Sequence, residues 1–397
     1  MERIHKNKIL VFILLIGFFL RIAFILTLKN HFYFDDEFEY YKIVQNFLSG
    51  KGLIVANNLK SFRPPLYPLV ISILFLFKIN LIGIRIFQSL ISTFSVYFIY
   101  LIGKKIFDEK VGIVSAFISS FYPFFIFYNG FLLTETLFVF LTVLSIFYLI
   151  MTNTEKNGKF SFFSGVFLGL GGLTRPILQL YLPFSILHIL YFKENLKLKF
   201  RKIIFLVVGF CLTLSPWIIR NYRIFHKFIP GTTMGGWVFW EGNNPYSDGG
   251  PCPYFPEGIL EIDEIERDKI LYKMAFKIIK ENPKRFFYLL KNKFKRFWNI
   301  VPNAPEFEKK FLYRFISVFS FGIMMPFFII GFFFSLKNKK AQFLHSLIIL
   351  FTIFHIVFLA SIRYRLPLEP FYIILSIYGF LELKNLTSST YFKRKKV

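Results

Sequence analysis

The chain predicts an all-α, polytopic membrane protein of about ten transmembrane helices, with juxtamembrane helices on the outer face. Three observations predict it. Hydrophobic residues make up 55% of the 397 and aromatics 21%, and the mean hydropathy is +0.53, outside the range of soluble domains. Apolar stretches recur along the whole length, so no single anchor holds a soluble body. Every short connection on one side is basic, as expected of cytoplasmic loops.

The expected spans are 9–28, 81–102, 111–128, 135–152, 161–174, 177–192, 203–219, 312–336, 341–361 and 368–384. Crossing a bilayer takes about 20 apolar residues. The first stretch is too long for a signal peptide's apolar region and lacks a small-x-small cleavage site, so it reads as a retained membrane helix. With the N-terminus inside, the inner segments carry Arg3, Lys6 and Lys8, then Lys104, Lys105 and Lys110, then Lys156 and Lys159. Lys193, Lys197, Lys199, Arg201 and Lys202 follow, then Lys337, Lys339 and Lys340, and Lys393 to Lys396 end the chain. Both termini are thereby placed in the cytoplasm of a multi-pass plasma-membrane protein. Leu66 to Phe77 is apolar but too short to span. It reads as a juxtamembrane helix opened by Arg63-Pro64-Pro65. Counting it as a span would invert every basic loop after it. Thr174-Arg175-Pro176 interrupts an apolar stretch and reads as the outward turn of a hairpin.

The sequence shows one domain over 1–397, without repeats or low-complexity runs. Two outer segments are long, 29–80 and 218–311. In the second, Phe286, Leu290, Phe294 and Phe297 recur at helical spacing among Lys284, Arg285, Lys291, Lys293, Lys295 and Arg296. That pattern reads as a basic amphipathic helix on the membrane surface.

Several chemistries lack support. Two cysteines, Cys211 and Cys252, make neither a disulfide framework nor a zinc site. The six histidines are scattered, and there is no metal-ligand spacing, phosphate loop or nucleophile elbow. The net charge of +26 suits anionic lipid head groups and phosphates. Nucleic acid is the poorer partner, since no soluble basic domain carries the charge.

Against that basic background, four carboxylates stand within Asp35-Asp36-Glu37-Phe38-Glu39-Tyr40, just after the first span. Mutual repulsion and the low dielectric of the membrane edge are expected to raise their pKa values and poise a base. Taken alone, the block reads equally as a solvated acidic loop or a site for a structural ion. A second acid, Glu135, lies where the third span turns into the fourth on the same outer side, and near-membrane carboxylates are costly and usually functional. Arg63, Arg175, Arg220, Arg363 and Arg365 all fall at outer breaks or span ends. Singly, each reads as a snorkelling interfacial arginine. Together, on the side where cations are unexpected, they suggest an anionic substrate held through bidentate guanidinium contacts. Trp217 and Trp240 read as interfacial-belt residues or as a platform for stacking a sugar, the belt being the better account of Trp217.

These residues form an ordered set. Asp36-Glu37-x-x-Tyr40, Arg63-Pro64-Pro65-Leu66-Tyr67-Pro68, Leu133-Thr134-Glu135, Leu173-Thr174-Arg175-Pro176, Pro216-Trp217-x-x-Arg220-Asn221-Tyr222 and Arg363-x-Arg365-Leu366-Pro367 cover nearly the whole chain. In this the chain resembles the GT-C superfamily of membrane glycosyltransferases, near the lipid A aminoarabinose transferases and the protein O-mannosyltransferases. The resemblance implies a polyprenyl-phosphate-linked sugar as donor and transfer of a hexosyl or pentosyl group outside the cytoplasm, to a protein, lipid or glycan acceptor. It implies Asp36 as general base in an inverting transfer and Glu135 as a second acid orienting donor or acceptor. Arg63, Arg220, Arg363 and Arg365 would hold the donor phosphate, with Glu37, Tyr40, Arg175 and Trp240 as further substrate-binding residues. Asp35 and Glu39 are left as solvated neighbours. Two departures stand out: Glu replaces the Asp that relatives often carry at 135, and the large soluble C-terminal domain of some relatives is not expected. Some branches need a divalent cation and others do not, so the resemblance leaves a metal open. A transporter or flippase for a lipid-linked anion would explain the arginines as well, but would call for related halves and a mid-membrane site.

Overall fold

The computed structural model describes residues 2–55, 59–154, 158–303 and 310–394. Lys156, Lys395 and Lys396, counted above among the inner basic residues, lie outside them. Helices dominate, and the one β-type pairing among the described residues is the isolated bridge between Val55 and Leu59.

The helices are α1 (Glu2–Thr27), α2 (Asp35–Leu48), α3 (Leu66–Leu76), α4 (Leu81–Ile106), α5 (Glu109–Phe121), α6 (Pro123–Asn129), α7 (Glu135–Thr154) and α8 (Lys159–Thr174). A 3₁₀ turn over Pro176–Tyr181 leads into α9 (Leu182–Tyr191), followed by α10 (Leu196–Phe225), α11 (Gly235–Asn243), α12 (Glu264–Glu281) and α13 (Pro283–Phe297). The last part holds α14 (Phe311–Ser317), a π-helical turn over Val318–Gly322, α15 (Ile323–Phe334), α16 (Gln342–Val357), α17 (Ile362–Arg365) and α18 (Glu369–Arg394).

The count of ten spans is not confirmed. Six helical stretches are long and apolar enough to cross a bilayer alone, and α5 with α6, bent by 51° at Tyr122, would make a seventh. Pro123 at the head of α6 explains the bend, because it supplies no N–H to continue the ladder. The expected spans at 177–192 and 341–361 are shorter apolar helices, and α8 has 16 residues. Leu66–Leu76 is a short apolar helix of its own, as the Pro64-Pro65 opening led one to expect.

Local signals account for the ends. Asn80 and Asp108 cap α4 and α5 through side-chain oxygens that accept the amides of Gly83 and Val111. Arg175 is extended (φ −147°), so α8 stops where the residue before a proline disfavours helix. Several helix pairs pack backbone to backbone, two of them especially closely. A Cβ on Gly165 would lie 2.0 Å from the Leu206 carbonyl, joining α8 to α10, and one on Gly331 would lie 1.9 Å from the Leu375 carbonyl, joining α15 to α18. Small residues bring membrane helices together in this way.

The molecule is centred on α7 and the span formed by α17 and α18, which are 78% and 72% buried over their apolar windows; the window of α1 is 28% buried. Both of these central spans begin at one end of the molecule, and α2 begins there too. At the opposite end, Asn338 donates to the Ile106 carbonyl, tying the connection before α16 to the end of α4. Helix α1 runs toward the first end and α18 runs away from it, so the start of α1 and the end of α18 lie toward the opposite one.

Helix α13 forms where the amphipathic pattern placed it, capped by Asn282. Its inward face is not the expected one. Leu289, Lys293 and Phe297 are buried against the protein, whereas Phe294 is half exposed and Phe287 and Tyr288 are more so. The helix packs on α16 with the ammonium of a lysine inside.

Candidate functional site

The site forms where α2, α7 and α17 begin. Asp36 is the second residue of α2 and Glu135 the first of α7. Helix N-termini carry exposed N–H groups and a positive dipole end, which favour carboxylates and anions there. Glu37 fixes the start of α2. Its carboxylate accepts the amides of Tyr33 (2.7 Å), Phe34 (3.1 Å) and Leu132 (2.8 Å), so both oxygens are taken by backbone. One of those bonds also ties α2 to the segment leading into Glu135. From the other side, Gln88 donates to the carbonyls of Asn129 and Phe131 and accepts the Tyr67 hydroxyl.

Three arginines enter this frame from three breaks in the chain. Arg63 comes from the loop before α3, Arg175 from the end of α8 and Arg363 from α17, whose first turn is capped by Ser361. Arg363 donates from Nη1 to Asp36 Oδ2 at 2.5 Å and from Nε to Glu135 Oε1. Arg175 donates to the same Glu135 oxygen at 2.6 Å and to the Thr134 hydroxyl at 3.1 Å. Arg63 donates to Asp36 Oδ1 at 2.9 Å and pairs with Glu39 through two nitrogens. Three carboxylates and three guanidiniums thus form one chain, Glu39–Arg63–Asp36–Arg363–Glu135–Arg175. Glu135 is wholly buried at one end, while Asp36 keeps 27% of its side chain exposed. Aromatic rings line the network: Arg175 lies over Phe138 and Tyr364, and Arg63 over Tyr40 and Phe62.

The expected rise in the Asp36 pKa is reversed. Burial raises it, but the charges of Arg363 and Arg63 lower it further, and the carboxyl ends below its ordinary value. The sequence put four acids side by side; the fold interleaves cations that come from 27 and 327 residues away.

Of the residues proposed from the sequence, Asp36, Glu135, Arg63, Arg175 and Arg363 meet in this network. Tyr40 lies beneath it, 4% exposed and packed edge-on to Tyr67. The others stand apart. Arg365 is buried and turned inward, donating to the carbonyls of Phe297 (2.9 Å) and Asn299 (2.8 Å) and pairing with Glu369. It closes the end of α13 and does not face the carboxylates, because successive helix residues point about 100° apart. Arg220 donates to the Lys60 carbonyl at 2.7 Å and stacks over Trp217. Trp217 and Trp240 are buried, their indole N–H groups donating to the carbonyls of Gly231 and Tyr254. Neither offers a free face to a sugar or to a lipid belt. Glu37 is occupied as described. Conversely, Glu39, expected to be solvated, pairs with Arg63; its spacing of three from Asp36 on one helix face is the signal that the two share a partner. Thr134, beside Glu135, also joins the network, accepting from Arg175.

Among the described residues no three His, Cys, Asp or Glu side chains gather as a metal site. Guanidiniums hold both oxygens of Asp36, Oε1 of Glu135 and Oε2 of Glu39. Carboxylates so engaged by cations do not fit a divalent cation.

Known proteins agree with this architecture. The family described as dolichyl-phosphate-mannose-protein mannosyltransferase matches residues 62–219. The oligosaccharyltransferase AglB of Archaeoglobus fulgidus, solved in complex with an inhibitory peptide and a dolichol-phosphate, aligns with a TM-score of 0.58 at 12% identity, covering 100% of this chain and 52% of its own. The same organism's enzyme in the apo form gives 0.61 at 13% identity, covering 97% and 51%. ArnT from Cupriavidus metallidurans in the apo state gives 0.45 at 14% identity, covering 96% and 78%. The chain therefore spans about half the length of the oligosaccharyltransferase. No curated protein sequence matches it. The chain shares the fold of the oligosaccharyltransferase, and residues 62–219 resemble the mannosyltransferase family.

Proposed function

We propose that this protein transfers a sugar from a polyprenyl-phosphate donor to an acceptor hydroxyl at the extracytoplasmic face of the membrane, with inversion at the anomeric carbon. The observation that carries the reading is Arg363, one guanidinium bridging Asp36 and Glu135. Two carboxylates and a phosphate-binding side chain thereby meet at one point, beside helix ends that favour anions.

In this reading the donor phosphate takes hydrogen bonds from Arg363 and Arg63 that Asp36 now accepts. The exchange activates the base. Asp36 is held below its usual pKa by those two cations, against burial that raises it. Once their charge is spent on phosphate, burial dominates and Asp36 becomes more basic. Asp36 then removes the acceptor proton as the acceptor oxygen attacks the anomeric carbon. The bond from that carbon to the phosphate oxygen breaks, and its electron pair leaves on the polyprenyl phosphate. The arginines stabilise that developing charge. The positive charge growing on the sugar meets nearby carboxylates, as in glycoside hydrolysis. Glu135, buried and held twice by arginine, orients Arg363 and Arg175.

Incubating the purified protein with a panel of polyprenyl-phosphate sugars tests this. Release of polyprenyl phosphate from one donor supports the reading and names the sugar. Turnover of none, with any acceptor of protein, lipid or glycan class, contradicts it.

A further inference from the structure

The loop that delivers Arg63 is held from a distant part of the chain. Glu264, the first residue of α12, is 5% exposed. Its carboxylate accepts the amide of Lys60 at 2.9 Å, the amide of Ser61 at 3.2 Å and the hydroxyl of Thr233 at 2.8 Å. The grip is two-sided. Arg220 donates to the Lys60 carbonyl at 2.7 Å, and the Thr233 amide donates to the Ser61 carbonyl at 2.9 Å. Phe62 is clasped in turn: its ring meets Trp237 edge-on at 5.5 Å, and the Arg267 guanidinium lies over both. Every residue from 60 to 62 is therefore bound to α10, α12 or the segment between them, and the next residue is Arg63. Arg63 itself pairs with Asp36 and Glu39 and lies over the rings of Tyr40 and Phe62.

We infer that Glu264 is a positioning residue for Arg63: it fixes the loop 60–62 so that the Arg63 guanidinium is aimed at the phosphate subsite. This rests on the reading of Arg63 as a phosphate ligand. Rigidly supported side chains bind without first losing rotamer and loop freedom, so a slackened loop weakens binding while the ligand itself remains. Glutamine cannot substitute, because its NH₂ would oppose a backbone N–H where a carboxylate oxygen accepts one.

The test uses the full-length protein in detergent with undecaprenyl phosphate as probe and the uncharged undecaprenol as control. Affinities are measured for the wild type, Arg63→Gln, Glu264→Gln, Glu264→Asp and the double variant Arg63→Gln/Glu264→Gln. Arg63→Gln should weaken phosphate binding about 10- to 100-fold, the size of a charge-assisted hydrogen bond. Glu264→Gln should weaken it about 10-fold, Glu264→Asp less, and neither should alter undecaprenol binding. The double variant should be no weaker than Arg63→Gln alone, because Glu264 acts only through that arginine. Additive losses, or equal losses for phosphate and alcohol, would mean a general structural role and overturn the inference while leaving Arg63 as a ligand. An Arg63→Gln protein that binds phosphate normally would overturn the ligand role and this inference with it. Should Glu264→Gln fail to fold, Thr233→Val removes one of the three donors to Glu264 and enters the same cycle with the same expected pattern at smaller amplitude.

Discussion

Arg363 donates to Asp36 at 2.5 Å across 327 residues of sequence, and the same guanidinium reaches Glu135. The segment after the first span and the start of the last span thus close on each other through one side chain.

That relationship predicts a coupled mutational response. Arg363→Met leaves Glu135 buried with Arg175 as its remaining ionic partner. Stability should fall, by less than the about 3–5 kcal/mol typical of orphaning a buried charge. Adding Glu135→Gln should restore part of the loss, because the uncompensated charge goes, but should not restore transfer. Thermal unfolding of the two single variants and the double variant gives the coupling directly.

Asp36 makes a specific pH prediction. Its folded pKa lies below the ordinary value of 3.8. The stability it contributes is therefore complete above that ordinary value and lost as pH falls through the lower folded one. Melting temperature should drop below about pH 4 in the wild type, and Asp36→Asn should flatten that part of the curve. The size is modest, since the pair is partly exposed and solvent screens it.

Lys293 predicts a slope of the same sign in a higher pH range. Its ammonium is fully buried, bonded to Asn243 Oδ1 at 2.9 Å and to the Val357 carbonyl at 3.0 Å. Burial, then the charge of Arg285, pushes its pKa down to about 7. The unfolded chain holds this proton up to about pH 10.4. Between those values the unfolded state binds more protons, so stability should rise with pH. Lys293→Met should abolish that rise and stabilise the protein at pH 6, as melts across pH 6–9 would register.

The contact of α8 with α10 predicts a remote effect on the site. A Cβ at Gly209 would lie 2.3 Å from the Phe162 carbonyl. Gly209→Val must push the helices apart, which typically costs about 1–3 kcal/mol. Since α8 ends at Arg175, transfer should fall more than the lost stability explains. Comparing activity with melting temperature for Gly209→Ala and Gly209→Val would separate the two.

Much of the site was legible in the sequence because acids and arginines stood at breaks between apolar stretches, where a membrane protein has little other use for them. Asp36, Glu135, Arg63, Arg175 and Arg363 fit that logic and meet in space. Arg365 and Arg220 fit it equally well and do not join the network, and Trp240, read as a sugar platform, is buried. A residue two places from Arg363 shares its motif but not its direction, and a tryptophan in a long loop gives no sign of whether it is buried. The pKa of Asp36 could not be anticipated, because its sign depends on which cations the fold brings to it. Span number proved hard for a physical reason: α8, the 176–191 stretch and α16 are apolar but short, so composition marks them without showing that each crosses the bilayer alone.

The proposed transfer depends above all on Asp36 acting as the general base. Single-turnover sugar transfer at saturating donor, comparing wild type with Asp36→Asn of matched melting temperature, tests it most directly. The expected rate for Asp36→Asn is lower by about 10²–10⁴-fold, with polyprenyl-phosphate binding retained. Near-wild-type transfer by correctly folded Asp36→Asn would contradict it.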